Sequence, residues 1–308
     1  MKSITVLPLF VCLILCPPLE AESVSFPYAL SLSPQFGFLY GRGEEQVYRN
    51  ESSDKLLSQL FWDHKPLVYG GIKLEFAQRN PLAGLGVFSN LSIKFGIPME
   101  SGIMEDRDWM NMTGELTHYS RHDAHSKGAL ILDLAAGPSI PAGPFLAFRP
   151  SLGLSYTRFS WTSRDGYKVY YGVYSPVSGT VVSYSQEWLS MPLGLSLLVF
   201  PGRRFSGVLW FQAGPVFKFL GLDNHHSMFH QFRDEIRGGY SLEPGGEFRL
   251  NMGNHFSLKL YGSWRRFAAK THGESYSKFG SGDWQFLGNT SGGVYQAADL
   301  GIGLEVRF

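Results

Sequence analysis

This sequence of 308 residues has few cysteines, little net charge and no long apolar run, and each shortage excludes a class of protein. Its two cysteines, Cys12 and Cys16, both lie near the amino terminus, so the rest of the chain offers no thiol nucleophile and no disulfide. The formal net charge is +1, which gives no basic surface for nucleic acid. The apolar run from Ile4 to Leu15 is too short to cross a membrane as a helix.

The first 21 residues are expected to be a secretory signal peptide. Lys2 precedes the apolar run, and Ala21 supplies the small residue after which cleavage is expected. Residues 22–308 would then form the mature chain, free of cysteine. The alternative is lipidation of Cys16, but the bulky Leu15 before it is atypical of such sites.

Alternation of apolar and polar residues at period two predicts an all-β fold. After Pro66, one face of the chain carries Val68, Gly70, Ile72, Leu74 and Phe76. The other face carries Tyr69, Gly71, Lys73 and Glu75, and the same split recurs over 91–97 and 256–263. The sequence also has 36 glycines and many aromatic residues, as turn-rich β proteins do. Because no linker divides the chain, we expect a single domain.

The last residues favour a membrane barrel over a secreted sandwich. Every second residue from Leu300 to Phe308 is apolar, which resembles the carboxy-terminal strand of bacterial outer-membrane barrels. Turn signals divide the sequence into about ten strands, an even number as a closed antiparallel barrel requires. The expected fold is therefore an all-β, transmembrane, antiparallel up-and-down barrel of about ten strands over residues 22–308.

The connections between these strands alternate between short and long. The short ones lie around Arg79–Pro81, Pro138–Gly143, Pro201–Arg204 and Asn251–His255. The long ones are expected at 43–62, 98–127, 160–187, 220–237 and 268–294. Outer-membrane barrels have long loops on the extracellular side, so these five are expected to face outward. Aromatic residues near the strand ends are expected to form an interfacial girdle, namely Trp62, Tyr156, Trp161, Trp188 and Trp264.

Two polar strings lie where strand patterns run into long connections. Asp106 and Asp108 flank Arg107, and Asp223 and His225 flank Asn224. Residues at i and i+2 on an extended chain point to the same side. Both strings are expected at the outer end of the barrel, where they would form an acid-rich site with one histidine. Such a composition is typical of a centre that activates water.

These strings also carry a family resemblance. Residues 104–110, followed by Ser120-Arg121-His122, resemble a signature of the omptins, ten-stranded outer-membrane endopeptidases. Asp223-Asn224-His225 resembles their Asp-x-His element, and residues 58–62 resemble the entry to their second strand. The matches follow the family's order from about residue 35 to Phe308.

The resemblance implies hydrolysis of peptide bonds in extracellular peptides or proteins. His225 would be the general base on a water, and Asp223 would orient its imidazole and stabilise the imidazolium. Asp106 and Asp108 would hold the water and the tetrahedral intermediate from the opposite wall. Two carboxylates this close disfavour full ionisation, so one of them is expected to have a raised pKa.

The resemblance also implies a substrate pocket and a lipid contact. Glu45 matches one acid of the pocket in which omptins receive arginine or lysine, whereas Gly221 stands at the second acid. A solvated Glu44–Glu45 pair is the alternative for Glu45. Of the family's lipopolysaccharide-binding residues on the outer wall, only Arg158 is clearly retained, because Leu154, Tyr156 and Trp188 replace polar or charged groups. This loss weakens the expectation of a lipopolysaccharide requirement, and an outer-membrane lipid is the one activator considered. No cofactor is expected, and the chain is expected to be a monomer.

Several alternatives remain open from the sequence. A noncatalytic barrel could act as an adhesin or surface-binding protein, and a passive pore would need an open interior. Against a pore, the inward faces carry opposite charges that should pair, at Lys73, Glu75, Lys94, Glu243, Glu247, Arg249 and Lys259. A lipid-modifying enzyme would need a serine or histidine arrangement that the spacing does not offer. His122 either supports the site or is a loop residue, and His225, His226 and His230 match no usual metal set.

Overall fold

The computed structural model describes residues 27–199, 204–253 and 255–308. The expected signal peptide lies outside the described residues, as do residues 201–203 of one predicted turn. The described part forms one antiparallel sheet of fifteen strands, and the pairing of its first strand with its last closes the sheet into a barrel. Among these residues no helix is long and apolar enough to cross a bilayer.

The strands are β1 (Tyr28–Tyr48), β2 (Leu56–Gln78), β3 (Gly86–Gly96), β4 (Met99–Asp108), β5 (His118–Pro141), β6 (Leu146–Tyr170), β7 (Val173–Pro176), β8 (Thr180–Ser190), β9 (Leu193–Val199), β10 (Phe205–His225), β11 (His230–Ile236), β12 (Gly239–Asn251), β13 (Phe256–Ala269), β14 (Gly273–Phe279) and β15 (Gln285–Arg307). A single turn of 3₁₀ helix, His226–Met228, joins β10 to β11.

Fourteen of these strands fill ten positions around the barrel, which confirms the predicted architecture. Four positions hold two successive pieces each, namely β3 with β4, β8 with β9, β11 with β12, and β13 with β14. Pro98 and Pro192 lie at two of the breaks, because proline has no N–H to donate to the ladder. Gly238 and His272, both at positive φ, lie at the other two. The short β7 pairs only with β6 and lies outside the ring of ten.

A belt of exposed apolar side chains surrounds the lower part of the barrel. It includes Phe36, Phe38, Tyr40, Ile72, Leu74, Phe95, Leu152, Leu195, Phe211, Leu258, Leu260, Leu300 and Ile302. Above this belt the outward residues become polar, as at Arg42, Glu44, Arg158 and Gln296. β5 and β6 have 24 and 25 residues, whereas about 9–11 residues suffice for a strand to cross a bilayer. The upper half of the barrel therefore projects beyond the membrane.

The tall upper wall differs from the expectation of five long loops. β1 continues to Tyr48 and β2 begins at Leu56, so most of the connection expected at 43–62 is paired strand. Above the belt the outward side chains face water and are polar, while the inward side chains are partly polar and partly apolar. Because both faces then carry polar residues, the period-two pattern that indicates a strand is lost. The two polar strings accordingly lie in β4 and β10, and not in loops.

Charged side chains fill the lower interior as an ionic plug. Lys259 is fully buried and pairs with Glu305, and Arg249 pairs with Glu75 and Glu247. Further pairs join Lys94 to Asp299 and Arg265 to both Asp133 and Glu243. The expectation that inward charges pair is thus confirmed, and the pairing is inconsistent with a wide open pore.

An apolar layer separates this plug from the upper interior. It contains Trp62, Trp161, Trp188, Phe159, Phe219, Phe267 and Tyr295, with ring centroids of Phe159 and Tyr295 4.1 Å apart. The prediction that Trp62, Trp161 and Trp188 belong to an interfacial girdle was wrong, because each occupies an inward position and is at most 1% exposed. The space above this layer, between the ends of the strands, is the mouth of the barrel.

Candidate active site

One wall of the mouth carries a hydrogen-bonded aspartate and histidine from β10. Asp223 and His225 both point inward because they are two residues apart on an extended strand. Nε2 of His225 donates a hydrogen bond of 2.7 Å to Oδ2 of Asp223, and Asp223 is only 2% exposed. Burial alone would lower the pKa of His225, but the charge of Asp223 and the hydrogen bond outweigh it and raise the pKa. The pair is thus arranged to stabilise an imidazolium.

A second wall of the mouth carries two carboxyl groups from β4. Asp106 and Asp108 are inward and lie in register with Leu60 and Ser58 of β2. Removal from water, followed by the charge of Asp108, raises the pKa of Asp106 to about 8. Burial also raises the pKa of Asp108, although Ser58 and His118 oppose the shift. Near neutral pH the two carboxyl groups therefore hold a proton between them.

The two walls act on each other electrostatically across the mouth. His225 lowers the pKa of Asp106, and Asp223 raises it. In return Asp106 and Asp108 help to raise the pKa of His225. The four residues predicted from the sequence, Asp106, Asp108, Asp223 and His225, therefore interact electrostatically on the inner surface above the belt. An arrangement of one histidine facing several carboxyl groups can hold, deprotonate and reprotonate a water molecule.

Arg49 holds the chain immediately after Asp108. Its Nη2 donates hydrogen bonds to the carbonyl oxygens of Trp109 and Asn111, the latter at 2.6 Å. Thr117 donates to the carbonyl oxygen of Asp108 at 3.0 Å, which closes the same turn from the other side. These bonds fix the end of β4 and with it the position of the Asp108 carboxyl group.

Glu45 lies inside the barrel and is not part of a solvated pair. It occupies an inward position of β1 and is 3% exposed, while Glu44 points outward and accepts hydrogen bonds from Gln46 and Gln59. Burial, and then the charges of Asp223, Asp234 and Asp106, raise the pKa of Glu45 well above its usual range. Oε2 of Glu45 has no hydrogen-bond partner among the described residues.

Asp234 is a buried acid that was not predicted from the sequence to belong to the site. It lies on β11 in register with Gly221, so the two Cα positions share one inward direction. Asp234 is 3% exposed, and burial raises its pKa to about 7, with Asp223 adding to the shift. Inward Phe232, Asp234 and Ile236 alternate on this strand, which is a readable signal once residues 230–236 are assigned as strand.

Known proteins resemble this chain in sequence and in fold. The omptin family model matches residues 26–308. The chain belongs to the omptin family. This omptin resembles the crystal structure of the outer membrane protease OmpT from Escherichia coli, with a TM-score of 0.81 and 18% identity. The match covers 94% of this chain and 99% of that chain.

Other solved barrels match more distantly. The attachment invasion locus protein Ail of Yersinia pestis is 12% identical over 90% of this chain and 98% of its own, with a TM-score of 0.25. The translocator domain of the autotransporter NalP from Neisseria meningitidis is 9% identical over 89% of this chain and 88% of its own, with a TM-score of 0.36. No curated protein matches the sequence. Family and fold identify this omptin as a bacterial outer-membrane protein whose mouth faces outward.

The other histidines of this omptin have different surroundings. His122 is 3% exposed and its Nδ1 hydrogen bonds to the carbonyl oxygen of Asp165, so it fixes the wall between β5 and β6. His118 lies in register with Asp108, and its ring contacts that of Tyr170 at 4.3 Å between centroids. Within residues 27–199, 204–253 and 255–308, no three histidine, cysteine, aspartate or glutamate side chains are grouped so as to hold a metal ion.

Arg158, expected to contact lipid, lies on the outer wall just above the belt. Its side chain is 53% exposed and its Nε is 3.4 Å from Oε1 of Glu187 on the neighbouring strand. Leu154, two residues earlier, is exposed within the belt. Trp188, taken from the sequence to belong to the same outer surface, points inward.

Proposed function

We propose that this omptin is an endopeptidase that hydrolyses peptide bonds in extracellular polypeptides. The water that attacks the carbonyl carbon would be held between the Asp223–His225 pair and the Asp106–Asp108 pair. The observation that carries the proposal is the 2.7 Å hydrogen bond from His225 to a buried carboxylate, in the electric field of two further carboxyl groups. The fold and family of an outer-membrane protease support it.

His225 is the general base in this proposal. Its Nε2 donates to Asp223, which leaves Nδ1 to accept a proton from the attacking water. The imidazolium that forms is stabilised by the Asp223 carboxylate, which keeps its own negative charge. The same imidazolium then donates this proton to the amide nitrogen as the C–N bond of the tetrahedral intermediate breaks, so that the leaving group departs as a neutral amine.

Asp106 and Asp108 act on the opposite side of the scissile bond. The protonated member of the pair donates a hydrogen bond to the oxyanion as charge develops there. The ionised member accepts a hydrogen bond from the water and orients it. A shared proton between these carboxyl groups, with the pKa of Asp106 near 8, provides both forms at neutral pH.

We further propose that cleavage occurs next to a basic residue of the substrate and that an outer-membrane lipid contacts Arg158. The inward carboxyl group of Glu45 on β1 would receive the cationic side chain of the substrate. The exposed guanidinium of Arg158 above the belt would bind an anionic lipid group.

The test is cleavage of quenched peptides by the mature chain refolded in detergent, with and without lipopolysaccharide. Peptides with an Arg-Arg or Lys-Lys pair are compared with peptides that lack one. We expect cleavage of the basic peptides and its loss in Asp106→Ala and His225→Ala. Folded protein that cleaves no peptide under either condition contradicts the proposal and favours the noncatalytic, surface-binding alternative.

A further inference from the structure

Two buried carboxyl groups lie beside the Asp223–His225 pair. Glu45 and Asp234 are each 3% exposed, and neither forms an ion pair among the described residues. The charges that act on Glu45 are those of Asp223, Asp234 and Asp106, and all of them are negative. A buried carboxylate without a cation is costly, so this arrangement is suited to a cation supplied from outside.

The wall between these two carboxyl groups is lined by small residues. Glu45 of β1 lies in register with Gly293 of β15, and Asp234 of β11 lies in register with Ser275 of β14. The hydroxyl group of Ser275 donates a hydrogen bond to Asp234, which opposes the rise in the pKa of this carboxyl group. The hydroxyl group of Ser291 donates to the carbonyl oxygen of Glu274 at 3.2 Å. The strands that separate the two acids thus present glycine and serine at these positions.

Aromatic rings form the base of the same space. A Cβ at Gly293 would lie 2.5 Å from Cζ of Phe219, so this ring packs directly on the glycine backbone. A Cβ at Gly221 would lie 3.4 Å from the hydroxyl oxygen of Tyr184. Aromatic faces suit the aliphatic stem of a long basic side chain and the planar guanidinium group. The unpartnered Oε2 of Glu45 supplies a free hydrogen-bond acceptor at this place.

We infer that Glu45 and Asp234 together form the pocket for an arginine or lysine side chain of the substrate, with Asp234 supplying from β11 the carboxylate that position 221 of β10 lacks. The inference rests on the proposed function for its biological meaning, because the pocket adjoins the groups that would cleave the peptide. Two carboxylates can accept both edges of one guanidinium, or one ammonium between them. Burial raises the pKa of both acids, and a bound cation would lower it.

Binding to an inactive variant tests the pocket apart from catalysis. His225→Ala protein is titrated by calorimetry with an arginine-containing peptide and with the same peptide carrying citrulline, the neutral isostere of arginine. We expect the arginine peptide to bind more tightly, and Asp234→Asn in the same background to weaken it by about tenfold or more while citrulline binding changes little. Asp234→Asn protein that binds the arginine peptide within twofold of its parent overturns the inference.

Glu235→Gln is the matched control. Glu235 is the next residue of β11, and its carboxyl group lies 3.1 Å from Nε of Arg233, a residue of the same outward parity. The same change of a carboxylate to an amide at this position should leave the affinity for both peptides unchanged. An equal loss in Glu235→Gln and Asp234→Asn would attribute the effect to net charge, and would also overturn the inference.

A transfer of the acid gives a second and independent test. Gly221→Asp combined with Asp234→Asn returns one carboxylate to the same inward position from the neighbouring strand. A Cβ at position 221 meets the Phe219 ring at 3.3 Å, so this ring has to shift by a few tenths of an ångström. We expect at least a threefold recovery of arginine affinity over Asp234→Asn alone. A folded double variant whose affinity for the arginine peptide does not recover contradicts the inference that an acid at position 221 and an acid at position 234 serve the same pocket.

Failure of the inference and failure of the proposed function give different results. If the parent chain cleaves no peptide but the charge-dependent binding is observed, the endopeptidase proposal fails and the pocket stands. If the parent cleaves peptides with equal efficiency at arginine and citrulline, and Asp234→Asn leaves both rates unchanged, the pocket fails and the endopeptidase proposal stands.

Discussion

Replacement of Asp223 by asparagine should impair catalysis through His225 while leaving the fold intact. The donor and acceptor atoms are 2.7 Å apart, and the carboxylate side chain is only 3% exposed. Two unit charges at this separation attract by about 6 kcal/mol at an effective dielectric constant of about 20. An amide at the same place keeps a neutral hydrogen bond worth about 1 kcal/mol. The imidazolium of the transition state would therefore lose up to about 5 kcal/mol, or a factor of about 10³ to 10⁴ in kcat/KM.

The assay is the rate of cleavage of a quenched arginine peptide, with the pKa of His225 followed by NMR in the same variant. Because Asp223 raises this pKa, Asp223→Asn should lower it. Asp123→Asn is the matched control, since Asp123 is exposed on the outer face of β5. A loss of less than tenfold in kcat/KM for folded Asp223→Asn, with the pKa of His225 unchanged, would refute the role of the pair.

Three further predictions concern stability and order. The pKa of Asp106 is raised from its ordinary 3.8 to about 8, so between those pH values the folded chain holds a proton that the unfolded chain releases. Rising pH therefore destabilises the fold over this range, by at most about 1.4 kcal/mol per pH unit. Asp106→Asn should raise Tm more at pH 8 than at pH 5, and an equal change at both pH values would contradict this. Glu305→Gln leaves the fully buried Lys259 without its closest carboxylate and should lower the free energy of unfolding in urea by about 3–5 kcal/mol. Arg158→Gln, which removes the exposed Arg158–Glu187 pair, should lower it by less than about 1 kcal/mol. Equal losses in the two variants would contradict a stabilising role for the ionic plug. Arg49→Ala should increase deuterium uptake over residues 109–117 and lower kcat/KM about tenfold with little change in Tm, since it removes hydrogen bonds from a charged donor worth roughly 2 kcal/mol; unchanged uptake would show that Arg49 does not hold this turn.

The barrel could be predicted because lipid imposes a strong pattern on the strands that cross it. Outward residues within the belt must be apolar, so alternation is clear at positions such as Ile72, Leu74, Leu300 and Ile302. Above the belt the outward face meets water, and this contrast disappears. The upper wall was therefore expected to be loop, and the inward direction of Trp62 and Trp188 could not be assigned without the register of the strands.

The candidate site was predictable only in part for a related reason. Asp106 with Asp108, and Asp223 with His225, are pairs at i and i+2, so their common direction follows from local geometry. Asp234 depends on the register of β10 with β11, which the turn at His226–Met228 sets by pairing His225 with His230. A shift of that turn by one residue would point Asp234 outward, and the sequence alone does not give its length.

The central claim is that a water molecule, activated by His225, attacks the peptide bond directly. The most direct measurement is single-turnover cleavage of an arginine peptide with enzyme in excess and hydroxylamine present, analysed by mass spectrometry beside His225→Ala. The account predicts a product with a free carboxyl group, no hydroxamate and no covalent adduct, and no product from His225→Ala. A hydroxamate product, which reports an acyl-enzyme, or undiminished cleavage by folded His225→Ala would contradict it.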